Sequence, residues 1–216
     1  MNKADTKEYK ESFAEATKRI KNSCTIQEAE ICELDFGYLL ERSDYLDKDN
    51  IAQGTKKRLM KDGKTIYEWF SLYDSLLNYV FEHSDGSLYF LHNKELYGYS
   101  IVKLSTLETM DYVPDTDEET FIWCKASYNP LNDLIAVEGC YWACPTTVIL
   151  ADFIEPLKAV EAAEWHEAQE CFLIDKDYNF SHDISLIGWH KNSIDLKVNC
   201  YTGDLCKNNK NPNIKN

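Results

Sequence analysis

The sequence predicts a mainly β protein that opens with an α-helix, and three features of its 216 residues indicate this fold class. One early stretch repeats apolar residues at helical spacing. From residue 56 onward, short segments rich in Tyr, Phe, Trp, Val and Ile alternate with Asp-Gly, Asn-Asp and Asn-Pro pairs, which is typical of strands and turns. Two later segments also match each other after a shift of 46 positions. We therefore expect short antiparallel strands in repeated units.

The helix is predicted over residues 6–21. Asp5 and Glu8 stand at the spacing of a capping box, in which two side chains satisfy the free amide groups at the start of a helix. The apolar residues that follow fall on one helical face: Tyr9, Phe13, Ala16 and Ile20. We expect this face to pack on the β-rich core.

Residues 29–40 fit a helix and a strand about equally well. Helical spacing relates Ile31, Leu34 and Tyr38, whereas replacing Ile31 by Phe36 in this set gives the alternation of a strand. We favour the helix. The segment after it, residues 42–53, is polar and is interpreted as a connection whose acidic side chains point into water.

Two Asp-Gly pairs, Asp62-Gly63 and Asp85-Gly86, predict tight hairpins, because both central residues of such a turn need positive φ. The strands of the first hairpin are expected at residues 57–61 and 64–70, and those of the second at 77–83 and 87–91. Further strands are expected at residues 97–104, 121–127, 134–138, 147–152, 170–174, 184–188 and 194–198.

The internal repeat aligns more than one strand. A shift of 46 positions lays residues 85–91 over 131–137 and residues 102–107 over 148–153, so that turn, strand, gap and strand recur together. A third copy is expected to begin at Cys171, with a turn at residues 176–179 and its last strand at 194–198. Such a period is typical of stacked sheets that bury their faces against their neighbours.

Residues 83–90, with the sequence His-Ser-Asp-Gly-Ser-Leu-Tyr-Phe, resemble the turn-and-strand segment of WD-repeat-type β-propeller blades. The resemblance extends over residues 77–198 and lacks the Trp-Asp and Gly-His pairs of those blades. Since three units are too few to close a ring, it implies a partial propeller-like stack of antiparallel sheets, or a sandwich.

Three parts of the chain are expected on this basis. Residues 1–54 form a helical segment with its connection, residues 55–202 form the β-rich domain with blade-like repeats, and residues 203–216 form a disordered tail rich in Asn and Lys.

The charge and the cysteines limit the possible functions. A net charge of −14 opposes binding to nucleic acid and to anionic membranes, both of which need clustered Lys and Arg. The first ten residues are highly charged and no apolar run is long enough to cross a bilayer, so we expect a cytoplasmic protein. The 8 cysteines are then expected to be reduced.

The most unusual cluster of residues contains Cys140, Tyr141, Trp142 and Cys144, just before Pro145. We interpret it as structural. As a metal site, for zinc, the two thiolates would need further ligands, for which the candidates are His190, Cys124, Cys171, Cys200 and Cys206. As a redox site it lacks the two-residue gap that places a reactive cysteine at a helix N-terminus. We therefore expect no cofactor.

We expect partner-binding residues in two places. One is the acidic run Asp115, Asp117, Glu118 and Glu119, and the other is the aromatic pair Tyr141 and Trp142. An acidic loop favours a basic partner, and exposed aromatic residues are enriched where proteins bind one another.

The first functional hypothesis is a non-catalytic protein-binding protein, in its sharper form a neutraliser of a basic partner, as immunity-type proteins are for toxic enzymes in bacteria. No nucleophile elbow, phosphate-binding glycine loop or dinucleotide fingerprint is present, which argues against an enzyme. One alternative is a small metal-binding or thiol-dependent enzyme centred on Cys140 and Cys144. Another is a self-assembling protein that pairs through its sheet edges.

Overall fold

A computed structural model of the chain describes residues 2–73, 77–115, 121–142, 144–160, 164–168, 183–199 and 205–206. Within this part of the chain, sixteen strands form four antiparallel sheets, and an α-helix precedes them. The predicted fold class, mainly β with an N-terminal helix and short antiparallel strands, is confirmed. Over the same residues, no helix combines the length and the apolar character that crossing a bilayer requires.

Helix α1 (Lys7–Ser23) confirms the predicted helix. Its N-cap is Thr6, whose hydroxyl oxygen accepts a hydrogen bond from the Tyr9 amide at 3.3 Å. Asp5, the expected cap, belongs instead to a preceding 3₁₀ turn. The apolar face of α1 is partly buried, and Ile20 is fully buried beside sheet I.

Sheet I lies where a helix and a connection were expected. Its strands are β1 (Thr25–Ile26), β2 (Glu30–Leu34), β3 (Tyr38–Leu46), β4 (Ala52–Lys61) and β5 (Lys64–Leu72). Both β1 and β2 pair with β3, and β4 and β5 follow in order. The limit expected after residue 54 therefore falls inside β4.

The helix expected at residues 29–40 is wrong because a 3₁₀ turn, Asp35–Gly37, folds β2 back onto β3. In this turn Phe36 has a φ of 58° and Gly37 a φ of 70°. Glycine adopts this left-handed conformation easily, whereas a bulky aromatic residue rarely does. No ordinary turn signal therefore marks the reversal.

The connection expected at residues 42–53 is wrong because β3 and β4 occupy most of it. Asp44 does not point freely into water: its carboxylate accepts hydrogen bonds from Thr55 at 2.8 Å and from Arg42 at 3.0 Å. The short turn that remains is held by Asp47, whose carboxylate accepts hydrogen bonds from two backbone amides. The hydrogen bond from the Ile51 amide contributes most to lowering the pKa of Asp47.

The other three sheets are meanders of consecutive antiparallel strands. Sheet II contains β6 (Asn78–Glu82), β7 (Leu88–His92), β8 (Tyr99–Lys103) and β9 (Glu108–Tyr112). Sheet III contains β10 (Ile122–Asn129), β11 (Leu134–Cys140), β12 (Thr146–Asp152) and β13 (His166–Glu167). Sheet IV contains β14 (Asp183–His190), β15 (Ser193–Asn199) and β16 (Leu205–Cys206).

Most expected strands are confirmed. The strand expected at residues 170–174 lies outside the described residues, and β9 and β13 were not expected. The disordered tail expected from residue 203 is wrong where β16 pairs with β15. The remainder of that tail lies outside the described residues.

Both Asp-Gly hairpins are confirmed, with different turns. Asp62 and Gly63 have φ values of 50° and 72°, as a tight two-residue turn requires. In the second hairpin only Gly86 of the pair is left-handed, with a φ of 76°. That turn is longer, because the amide and the carbonyl of His83 bond to Ser87 and Gly86, both at 2.9 Å.

The 46-position repeat coincides with strands of two sheets, since it carries β6, β7 and β8 onto β10, β11 and β12. The start of the expected third copy, with its turn at residues 176–179, lies outside the described residues. Its expected last strand, residues 194–198, lies in β15. That strand is not the last, because it pairs with both β14 and β16.

The sheets stack face to face in chain order: β2 of sheet I contacts β6, β6 contacts β10, and β10 contacts β14. Since successive side chains of a strand point to opposite faces, sheet II buries Phe90 against sheet I and Leu91 against sheet III. Sheet III likewise buries Val137 towards sheet II and Ala136 towards sheet IV. Each internal sheet is thus covered on both faces.

Candidate functional site

The turns of the stacked sheets are found at two ends. The turns that follow β2, β6, β10 and β14 lie together, and we call this end the inner-hairpin end: residues 35–37, 83–87, 130–133 and 191–192. The turns at residues 47–51, 93–98 and 141–145 lie at the other end, which we call the opposite end.

The predicted partner-binding residues that the structure describes lie at the opposite end. Trp142 is 66% exposed, whereas Tyr141 is half-buried with its ring 5.2 Å from that of Phe121. Asp115 is exposed in the loop that leads from β9 towards Phe121. Asp117, Glu118 and Glu119 lie outside the described residues. The structure thus brings Asp115 and the aromatic turn to the same end.

The thiol of Cys140 is poorly suited to nucleophilic catalysis. Burial raises its pKa, and the neighbouring Cys144 and Asp183 raise it further. Burial also raises the pKa of Cys124, the next thiol in space. Since the thiolate is the reactive form, these thiols are the reverse of activated. Five described cysteines carry free thiols: Cys24, Cys32, Cys124, Cys140 and Cys144.

Of the proposed metal ligands, Cys140 and His190 lie at different ends of the molecule. Cys140 ends β11 near the start of β14, where the Thr146 amide donates to Asp183 at 2.9 Å. His190 ends β14 at the inner-hairpin end, where Asn129 donates to the carbonyl of Lys191 at 2.8 Å. In the described part of the chain, no group of three or more His, Cys, Asp and Glu side chains is arranged to hold a metal ion. Cys171 and Cys200 lie outside it.

A network of hydrogen bonds joins sheets II and III at the inner-hairpin end, and it centres on the buried His83. The Asp85 amide donates to Nδ1 of His83 at 3.3 Å, and Nε2 lies 3.1 Å from the carbonyl oxygen of Phe153. The Phe153 oxygen accepts from a protonated Nε2, whereas Nδ1 lies beside both the amide and the carboxylate of Asp85 and can act as acceptor or donor. The ring also stacks on Tyr128, with centroids 5.2 Å apart.

Two carboxylates flank this imidazole, one from each sheet. Asp85 Oδ1 lies 3.2 Å from Nδ1 and Asp133 Oδ1 lies 3.6 Å from Nε2, and the hydroxyl of Tyr128 donates to Asp133. Burial alone raises the pKa of Asp85, but the Ser87 amide and the side chain of His83 outweigh it and the pKa is lowered. The network therefore ties the turn of sheet II to sheet III through His83.

Exposed apolar side chains lie beside these charges. Phe36 is 47% exposed in the turn of sheet I, and Leu131 is 67% exposed in the turn of sheet III. The nearby carboxylates of Asp35, Glu82 and Asp85 are also exposed. The inner-hairpin end therefore presents apolar groups beside three exposed carboxylates, of which Asp85 lies 3.9 Å from the ammonium group of Lys103.

An open groove of about 500 Å³ lies between the turns of sheets I and III. Its floor is the strand β6, and its lining includes Asp35, Phe36, Tyr79, Glu82, Tyr128 and Pro130. The ring of Tyr79 stacks on Phe81 with centroids 5.4 Å apart. Burial raises the pKa of Tyr79, and the charge of Asp35 adds to the effect.

Sequence reasoning missed this end of the molecule. Its turns are distant in the chain, and only stacking of the sheets brings them together. The sequence contained two signals for this end, the Asp-Gly turn at Asp85 and the adjacent His83. Both lie in the segment that resembles propeller blades, but they were used only to predict a turn. Comparison with known proteins adds no family, since no protein-family model and no curated protein matches the chain.

Proposed function

We propose that this chain is a non-catalytic protein-binding protein that holds a basic partner at its inner-hairpin end. The supporting observation is the exposure of Phe36 and Leu131 among the carboxylates of Asp35, Glu82 and Asp85. Apolar residues on turns that a rigid sheet stack positions are typical of binding surfaces. The net charge of −14 would speed the approach of a cationic partner.

The sharper form of the proposal is an immunity-type neutraliser, which blocks a toxic basic enzyme in a bacterial cell. Its support is the acidic charge together with thiols whose raised pKa values oppose catalysis. We also propose that the likeness of residues 83–90 to WD-repeat-type blades reflects a shared design, in which stacked meanders present their turns to partners. The stacking of the sheets in chain order supports this idea.

The test is capture of the partner by the tagged full chain, followed by binding measurements with the purified pair. We expect a protein of positive net charge whose affinity falls steeply between low salt and about 0.5 M NaCl, where screening shortens the range of charges to a few ångströms. Phe36→Ala combined with Leu131→Ala should weaken binding.

The control is Trp142→Ala at the opposite end, which removes an aromatic side chain that is 66% exposed. An acidic partner, or binding that resists salt, would contradict the proposal. If Trp142→Ala lost binding and the double variant kept it, the binding surface would lie at the opposite end, where the sequence predicted it.

A further inference from the structure

We infer that the groove between the turns of sheets I and III binds an arginine side chain of the basic partner, an inference that rests on the proposed function. The side chains that line the groove favour one kind of ligand. Aromatic rings form its walls, and the carboxylates of Asp35 and Glu82 lie among its lining residues. An arginine side chain combines the apolar stem and the cationic end that this combination recognises.

The ring open to a ligand is that of Phe36. Behind it, Tyr79 is half-buried and nearly parallel to Phe81, with an angle of 13° between their rings, while Phe81 and Tyr128 are buried and close the base of the groove. Phe36 stands at the mouth and is 47% exposed. A guanidinium is planar and more weakly hydrated than an ammonium, so it stacks on such rings at a lower desolvation cost.

The two carboxylates make the groove selective for a cation. Asp35 lies in the turn between β2 and β3, and Glu82 ends β6, so they approach from neighbouring sheets. None of the described residues that line the groove is Lys or Arg. A guanidinium has five N–H donors in a fixed plane and can serve two carboxylates at once, whereas an ammonium acts as a point charge.

A cation already binds the backbone of this turn. Lys61, which is not among the lining residues, donates to the carbonyl oxygen of Phe36 and lies 4.7 Å from the centre of the Tyr38 ring. Lys61 thus occupies the carbonyl group and the Tyr38 ring. The carboxylate of Asp35 and the exposed ring of Phe36 remain for a ligand from outside.

The test uses the full chain and three short probe peptides, acetyl-Gly-X-Gly-amide with X as arginine, lysine or citrulline. Citrulline has the shape of arginine without its charge. We expect saturable NMR shifts of Phe36, Tyr79 and Tyr128 with the arginine peptide, weaker shifts with lysine and none with citrulline. Phe36→Ala should weaken arginine binding about tenfold.

Leu107→Ala is a close control for Phe36→Ala. Leu107 is 45% exposed with a φ of 59°, in a turn at the same end of the molecule, and Phe36 is 47% exposed with a φ of 58°. Asp35→Asn and Glu82→Gln should each weaken binding about threefold to tenfold, whereas Asp62→Asn, which removes the same charge from another turn, should not. Phe36→Leu keeps the apolar bulk and tests the ring face alone.

The outcomes separate this inference from the proposed function. Equal binding of citrulline, tighter binding of lysine, or shifts centred on Trp142 would overturn the arginine site. A basic partner whose affinity is unchanged in Phe36→Ala, Asp35→Asn and Glu82→Gln would overturn the site and leave the proposed function standing. Saturable arginine binding in the groove, with no basic partner for the full chain, would overturn the function and leave the site.

Discussion

The two faces of sheet II are buried against different kinds of side chain. Against sheet III the buried side chains are mostly apolar or aromatic, including Phe81, Leu91 and Ile101, and His83 is a polar exception at the inner-hairpin end. Against sheet I, Phe90 and Val102 share the interface with buried polar residues: Thr55, Lys57, Ser71, His92 and Asn93. The first interface is held mainly by the hydrophobic effect, and the second depends also on satisfied hydrogen bonds and on pH.

This difference bears on which strands could be predicted from the sequence. The central strands on either side of the apolar interface are short apolar runs, such as residues 88–91 and 134–137, and they were expected. Sheet I was only partly expected: the hairpin of β4 and β5 was predicted from Asp62-Gly63 although Lys57 is buried in it, whereas β1, β2 and β3 were not predicted.

The largest expected effect is the loss of an aromatic ring from the apolar interface. Phe81 contacts the rings of Tyr79, Tyr89 and Tyr128, so Phe81→Ala should reduce the free energy of unfolding by about 3–5 kcal/mol. Phe90→Ala in the polar interface should cost about 1 kcal/mol less, because water can enter a cavity that has polar neighbours. Urea denaturation of both variants measures this. A larger cost for Phe90→Ala would break the comparison.

A smaller effect is expected from methyl groups added at two buried glycines. A Cβ at Gly139 would clash with the carbonyl oxygen of Ile122 on the paired strand, which cannot move without breaking the sheet. Gly139→Ala should therefore cost about 3 kcal/mol. At Gly54 the closest atom, 2.6 Å away, belongs to the Phe70 ring, which has room to turn.

Gly54→Ala should accordingly cost about 1–2 kcal/mol. Thermal unfolding of the two variants side by side is the measurement. Equal losses would indicate that sheets I and III are equally rigid, which contradicts the contrast.

The polar interface should also respond to mild acid. Burial lowers the pKa of His92 well below its ordinary value, and the charges of Lys94 and Lys57 add to this. Below about pH 6.5 the unfolded chain takes up a proton that the folded chain refuses, so stability falls as the pH falls, by up to about 1.4 kcal/mol per pH unit.

His92→Phe removes this response while keeping a ring beside Trp69 and Phe90. The difference in unfolding free energy between the two proteins should grow between about pH 7 and pH 5. Carboxylates whose pKa is lowered, such as Asp47 and Glu68, lose their contribution at lower pH, so they do not interfere. A difference that stays constant over this range would contradict a neutral His92.

The smallest expected effects concern the exposed turns, where sheets I and II should behave alike. Phe36→Gly and Leu107→Gly relieve a left-handed backbone at φ values of 58° and 59°. Relief of strain and the added freedom of the unfolded chain partly cancel, which leaves a gain of about 0.5 kcal/mol in each. Chemical denaturation measures it. If the two variants changed the free energy of unfolding by unequal amounts, sheets I and II would differ in their exposed turns as well as in their buried interfaces.

Local signals predicted the parts of the fold that depend on local chemistry. The Asp62-Gly63 pair supplies both left-handed residues of its own turn, and the apolar face from Tyr9 to Ile20 is contained in one helix. The turn at Phe36 carries no such signal, because the stack rather than the residue holds its conformation. The candidate site was missed for a related reason: Asp35, Glu82 and Tyr128 meet only after three sheets have stacked.

The contiguity of each sheet in the chain affects how the protein forms during synthesis. Sheet II is complete at Tyr112 and sheet III needs nothing beyond Glu167, so neither waits for the C-terminal residues. Contacts close in sequence form quickly, and the stack can grow one meander at a time as the chain leaves the ribosome. Each new meander then covers the apolar face left exposed by the one before it.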